Sequence, residues 1–131
     1  MSVNSEIPIL VVDDVKTVVQ VLTKFLRQIG FSNVDQASGG VEALTMARSK
    51  SYALVISDWY MDNGDGLELC KALKSGDNAV SPQFIMVTVE NKTPLIEKAR
   101  KAGVDDYITK PFSAETLGLK IEKVFARAGN G

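Results

Sequence analysis

The chain alternates two hydrophobic rhythms. Ile9-Leu10-Val11-Val12 is a continuous apolar run, the form of a strand buried on both faces. Val15, Val18, Val19, Leu22, Phe25, Leu26 and Ile29 then recur at helical spacing, and Gly30 stands where a C-cap glycine belongs. The alternation continues. A short strand is predicted near Val34 to Ala37, then a helix from Val41 to about Ser49 with Val41, Leu44 and Ala47 on one face. Ala53 to Ser57 reads as a third strand, followed by a polar, glycine-containing loop and a helix carrying Leu69, Cys70 and Leu73. Phe84 to Val87 reads as a fourth strand, and Leu95, Ile96, Ala99 and Ala102 form a helical stripe ending at Gly103. Tyr107-Ile108 is a brief last strand, and Leu117, Ile121, Val124 and Phe125 line a closing helix.

Five strand-helix units predict an α/β fold of the doubly wound kind, because right-handed crossover helices keep the strands parallel and cover the sheet. At roughly 100–200 residues per domain, one domain is expected to occupy residues 1–131, with a core from Ile7 to about Arg127. Apolar residues at 45% and charged residues at 24% are enough for a globular core. Lys+Arg of 15 against Asp+Glu of 16 leaves a net charge of −1, and no basic stripe marks a nucleic-acid partner. With one cysteine and no histidine, an internal disulfide and an ordinary structural zinc site are both excluded. The longest apolar run, Ile7 to Val12, is far shorter than the ~20 residues that cross a bilayer. Neither membrane insertion nor a secretory signal is expected, so the cytoplasm is the expected location.

Ligands of doubly wound folds bind beyond the carboxyl ends of the strands. There the sequence places Asp13 and Asp14 after the first strand, Asp58 after the third, Thr88 after the fourth, and Lys110 with Pro111 after the fifth. Taken singly, each has a bland reading. Asp13 and Asp14 suit a helix N-terminus, Asp58 a loop, Thr88 a strand end, Lys110-Pro111 a turn, Tyr107 half-buried packing, and Cys70 a small core residue. Their joint occurrence at successive strand ends changes the picture. Three carboxylates brought together repel, each close pair costing on the order of a few kcal/mol at an effective dielectric near 20. Mg²⁺ with oxygen ligands offsets that repulsion, and Lys110 adds positive charge. Beside those cations Asp58 can attack a phosphoryl group, and the Thr88 hydroxyl can bond a phosphoryl oxygen.

The motifs Val11-Val12-Asp13-Asp14, Ser57-Asp58-Trp59-Tyr60-Met61, Asp65-Gly66, Val87-Thr88 and Tyr107-Ile108-Thr109-Lys110-Pro111-Phe112 follow one another in a distinctive order and spacing. In these the chain resembles the CheY-like receiver domains of two-component response regulators, from Ile7 to about Arg127. The resemblance implies a flavodoxin-like (βα)5 fold with strand order 2-1-3-4-5. It implies that Asp58 is the phosphoacceptor, charged by a sensor histidine kinase or a histidine phosphotransfer protein. It further implies Mg²⁺ bound directly by Asp14 and Asp58, through water by Asp13, and by the backbone carbonyl of Tyr60. Lys110 would pair with the phosphoryl group and precede a cis Pro111. Thr88 and Tyr107 would form a switch read out on the face of the fourth helix, fifth strand and fifth helix, roughly Lys92 to Ala126.

Some positions depart from the family pattern. Val89 is bulkier than the small residue usual after Thr88, and Asp62-Asn63-Gly64 replaces a common proline with a more acidic loop. Tyr60 and Glu90 occupy positions that flank the route of the attacking water, where Tyr60 has the bulk to shield an acyl phosphate. A flavodoxin-type electron carrier would need a Ser/Thr/Gly-rich phosphate loop where Asp13 and Asp14 stand. An aspartyl phosphatase would need an acid at position 60, which is Tyr. The expected protein is therefore a monomeric, phosphorylation-controlled binding switch, stand-alone and possible in chemotaxis. It is not an enzyme on an external product; it catalyses only its own phosphorylation and dephosphorylation. Its downstream target is a protein, for example a flagellar motor switch. The alternative is a degenerate receiver that binds partners without phosphorylation.

Overall fold

Continuous apolar strands are stable only where both faces of their sheet are covered. The computed structural model, which describes residues 3–62, 64–75, 81–89 and 92–129, meets this condition with a parallel five-stranded sheet between two helical layers. In chain order the elements are β1 (Ile9–Val12), α1 (Lys16–Ile29), β2 (Val34–Ala37), α2 (Gly40–Ser49), β3 (Leu54–Asp58), α3 (Gly66–Lys74), β4 (Gln83–Thr88), α4 (Thr93–Lys101), β5 (Asp106–Thr109) and α5 (Ala114–Gly129). The strand order is β2-β1-β3-β4-β5, with every neighbouring pair parallel, as the family resemblance implied.

Alternate strand residues feed two separate cores, because successive side chains leave opposite faces of a strand. Ile9, Val11, Leu54, Ile56, Ile85 and Val87 meet Val19, Leu22 and Leu26 of α1 and Leu117, Ile121 and Val124 of α5. Leu10, Val12, Val55, Phe84 and Met86 meet Ala43 of α2, Leu67 and Cys70 of α3, and Ala99 of α4. Burial pushes the Cys70 thiol up to about 12, so it stays protonated as an apolar core group. α1 ends as its sequence predicts. Gly30 takes φ +123°, and its N–H donates to the Leu26 and Arg27 carbonyls.

Several predicted positions move. Val15 and Val41, expected on buried helix faces, are 49% and 66% exposed. Each lies where a helix begins just past a strand end, with no sheet beneath it to cover the side chain. Ala53 precedes β3 instead of opening it, and its N–H donates to the Pro8 carbonyl. β3 and β4 run one residue further than predicted at their carboxyl ends, so Asp58 and Thr88 are the final residues of their strands and do not follow them; for Asp58 this replaces the loop reading. Ladder pairing therefore fixes both backbones at the sheet edge.

Two features generate tests. A Cβ at Gly66 would overlap the Asp58 carbonyl oxygen and crowd Met86 Sδ at 2.9 Å. Gly66→Ala is expected to lose about 1–3 kcal/mol in denaturant unfolding, the usual cost of overpacking. Separately, Asp35 accepts from Lys50 Nζ at 2.8 Å and Tyr52 Oη at 2.7 Å, and these bonds hold its carboxyl below the ordinary value of 3.8. A depressed folded pKa stabilises above the unfolded value, and that stability is lost as pH falls through the folded one. Acid titration of Tm should therefore show a steeper decline below pH 3.8 for the native chain than for Asp35→Asn.

Candidate functional site

The carboxyl ends of β1, β3, β4 and β5 deliver the chemically distinctive side chains to one edge of the sheet. Asp13 directly follows β1, and its N–H donates to the Ala37 carbonyl at 3.2 Å, which extends the ladder and keeps the residue at the edge. Its Oδ1 accepts from the Val15 N–H at 2.9 Å. That bond satisfies an otherwise unpaired donor at the entrance to α1, so the bland reading of Asp13 holds for one of its two oxygens. The other oxygen, Oδ2, is buried and has no hydrogen bond among the described residues. A buried carboxylate oxygen without a donor is costly unless a cation stands nearby.

A cation and further acids are close. Lys110 Nζ lies 3.7 Å from Asp13 Oδ2 and 3.4 Å from Asp58 Oδ1. Carboxylate oxygens of Asp13, Asp14 and Asp58 all lie within 4.8 Å of one another. Desolvation raises the Asp13 carboxyl above its ordinary value, and the neighbouring Asp58 and Asp14 charges push in the same direction. The Val15 N–H and the Lys110 ammonium oppose the rise without cancelling it. These residues fit a hard divalent ion: three carboxylates, one orphaned oxygen among them, and an exposed Asp14 open to hydrated ligands.

Loop bonds hold the acids in place. Asp14 Oδ2 accepts from the Asp62 N–H at 3.1 Å, tying the loop after β1 to the loop after β3. Gly66 N–H donates to the Trp59 carbonyl at 2.8 Å, and Asp65 caps α3 by accepting from the Glu68 N–H at 2.8 Å. Lys110 N–H donates to the Thr88 carbonyl at 2.9 Å, which brings the end of β5 alongside the end of β4. The Lys110–Pro111 peptide bond is cis, as the resemblance implied.

The remaining predicted positions are distributed around this cleft. Thr88 is 2% exposed at the end of β4, and Tyr107 is partly buried in β5 with Lys120 Nζ 5.4 Å from its ring centre. Tyr60 is 52% exposed and stacks on the buried Trp59 ring at 5.5 Å and 11°. Val89 is 69% exposed, so its added bulk faces solvent at the mouth. Glu90 and Asn63 lie outside the described residues. Beside Tyr107 is a cluster that the sequence reading missed. Asp106 accepts from Lys120 Nζ at 3.2 Å and Arg127 at 3.1 Å, with Lys123 Nζ at 4.0 Å. Positions 120, 123 and 127 share one face of α5, a legible signal, but their common acid lies on another element.

An edge of parallel strands bearing clustered acids, a lysine after the last strand and a threonine between them defines a receiver. The sequence matches the response regulator receiver domain over residues 9–122, and the chain belongs to that family. It is similar to chemotaxis protein CheY-3 of Vibrio cholerae, 36% identical over 124 residues covering 95% of both chains. It is also 38% identical to chemotaxis protein CheY of Pseudomonas aeruginosa, over 91% of this chain and 96% of that one. Among solved structures, Vibrio cholerae chemotaxis protein CheY4 superposes with a TM-score of 0.84 at 28% identity, covering 91% of this chain and 98% of that one. The protein is thus a receiver of the CheY type.

The orphaned oxygen generates a test. Asp13→Asn removes one charge from the crowd and, in metal-free buffer, should raise Tm by a few degrees, equivalent to about 1 kcal/mol. Differential scanning calorimetry should also show that millimolar Mg²⁺ raises Tm of the native chain and that most of this increment is lost in Asp13→Asn.

Proposed function

We propose that this receiver is a phosphorylation-controlled binding switch in the cytoplasm, with Asp58 as the phosphoacceptor. The observation that carries the proposal is the clustering of Asp13, Asp14 and Asp58 oxygens within 4.8 Å, with Lys110 Nζ 3.4 Å from Asp58. The donor is a phosphohistidine on a sensor kinase or phosphotransfer protein. An Asp58 carboxylate oxygen forms the new bond to phosphorus, the phosphorus–nitrogen bond to the donor imidazole breaks, and the imidazole leaves with that electron pair and takes up a proton. Asp13, Asp14, Asp58 and the Tyr60 carbonyl are the groups that would hold Mg²⁺, which supplies positive charge against the phosphoryl oxygens when bound.

Lys110 meets the charge that develops on the transferring group. Its ammonium stands between Asp13 and Asp58, so it stabilises the added phosphoryl without first crossing solvent. The Thr88 hydroxyl, buried at the adjoining strand end, donates to a phosphoryl oxygen, and Tyr107 repacks in response. The result is a population shift between two packings, biased only by their different affinity for the phosphoryl group. The partner reads the face of α4, β5 and α5, where Tyr107 and the Asp106 cluster adjoin. Docking to a downstream protein such as a flagellar motor switch is the output, which accords with the similarity to chemotaxis proteins. The chain acts on its own phosphoryl group and not on an external product.

Exposed apolar side chains at the mouth support donor docking. Val15, Val41, Tyr60 and Val89 all follow strand carboxyl ends and are exposed. An apolar rim around a charged cleft excludes water when a partner closes over it. The alternative of phosphorylation-independent binding is disfavoured by the retention of Asp13, Asp14, Asp58, Thr88 and Lys110 in one place.

Incubation with acetyl phosphate and Mg²⁺ should add one phosphoryl mass to the intact protein. Asp58→Asn should abolish the addition, and its persistence would redirect the phosphoacceptor assignment to another side chain. Tyr60→Ala should shorten the lifetime of the phosphorylated form by opening the stacked ring that walls the mouth; an unchanged lifetime would remove Tyr60 from the account.

A further inference from the structure

The sheet has an open edge that the signalling account does not use. Among the described residues β2 bonds only to β1. Ile9 N–H donates to the Asn33 carbonyl and Asp13 N–H to the Ala37 carbonyl, so the intervening alternation turns the N–H and C=O groups of Val34 and Gln36 away from β1. No other backbone group takes them among the described residues. Such a row is a template for an added strand.

The wall above this edge has a definite chemistry. Gln20, Thr23, Lys24, Arg27 and Gln28 of α1 and Gln36 of β2 line an open groove of about 540 Å³. Its floor is fixed, because buried Thr23 donates to the Val19 carbonyl and accepts from Gln36 Nε2 at 2.8 Å. Lys24 and Arg27 stand exposed on the same helical face, and neither has an ion pair among the described residues. Lys50, Lys74, Lys110, Lys120 and Arg127 are paired with acids, whereas Lys16, Arg48, Lys98 and Lys101 share with Lys24 and Arg27 the lack of an ion pair among the described residues; what sets Lys24 and Arg27 apart is their place on the wall of the groove. Among the described residues no carboxylate lines the groove.

We propose that the β2 edge and the α1 groove bind an extended acidic peptide of a partner protein, which adds as a sixth strand beside Val34 and Gln36 and sets carboxylates against Lys24 and Arg27. Charge complementarity selects this occupant. A second copy of the chain joined edge to edge about a two-fold axis would bring two Lys24–Arg27 pairs together, and like charges there oppose it. A polyanion such as nucleic acid would use the cations but leave the strand edge unpaired. β2 is only four residues long, so the contribution of each carboxylate pair decides whether the peptide stays.

The test uses the full chain without any phosphodonor, so its outcome is independent of the cleft. The probe is a short fluorescein-labelled peptide of alternating glutamate and threonine, with alternating lysine and threonine as control. Anisotropy should report salt-sensitive binding of the glutamate peptide only. The doubly charge-reversed variant K24E/R27E should weaken it roughly tenfold or more. NMR should place the largest amide shifts and slowed hydrogen exchange at Val34 and Gln36. Three results would overturn the proposal: no binding of the glutamate peptide, binding that leaves those two amides unmoved, or equal binding by the charge-reversed variant. Sedimentation showing that the chain instead pairs with itself through β2, or titration showing preference for an oligonucleotide over the peptide, would overturn it too.

Discussion

Burial of the Asp13 carboxylate beside Asp58 is the constraint on which the functional end of the molecule depends. One Asp13 oxygen is spent on the entrance to α1, and the other faces two further carboxylates, with the Lys110 ammonium the one cation within 4 Å among the described residues. Lys110 reaches that position because β5 pairs with β4 and because its own N–H bonds to the Thr88 carbonyl. Gly66, with no Cβ to collide with the Asp58 carbonyl, lets α3 begin close under the same edge. A parallel sheet buried on both faces supplies the rigid base that crowding of this kind requires.

The proposed cleft and the proposed partner surface share β5. Tyr107 and Asp106 lie at one end of that strand, Thr109 and Lys110 at the other, and Thr88 is paired with Thr109 in the adjoining strand. A change in packing at Thr88 therefore has a short path to the face of α4, β5 and α5, where Asp106 gathers Lys120, Lys123 and Arg127. The β2 edge lies at the opposite side of the sheet, which makes it available to a different partner at the same time.

Much of this was legible in the sequence because the signals were local. Continuous apolar runs marked β1, β3 and β4, the repeating strand-helix alternation placed the more polar β2 and β5, and glycines at 30 and 103 marked helix ends. The two misplaced core residues share one cause. Helical spacing cannot tell where the sheet beneath a helix stops, so Val15 and Val41 were counted as core although they begin helices beyond the strand ends. Pairings between separate elements left no signal of their own: the Asp106 cluster, of which only the basic face of α5 was legible, the Lys74–Asp105 pair at 2.7 Å, and the Thr23–Gln36 bond. The acids of the cleft were an exception, since fold class alone sends residues after parallel strands to one edge.

The most direct measurement is the anomalous scattering of Mn²⁺, a hard divalent ion with the same oxygen preference as Mg²⁺, soaked into crystals of the protein. The account predicts a single strong peak bounded by the carboxylates of Asp13, Asp14 and Asp58 on the Lys110 side of the cleft. A cleft with no peak, or carboxylates that turn away from one another around an ion bound elsewhere, would contradict it.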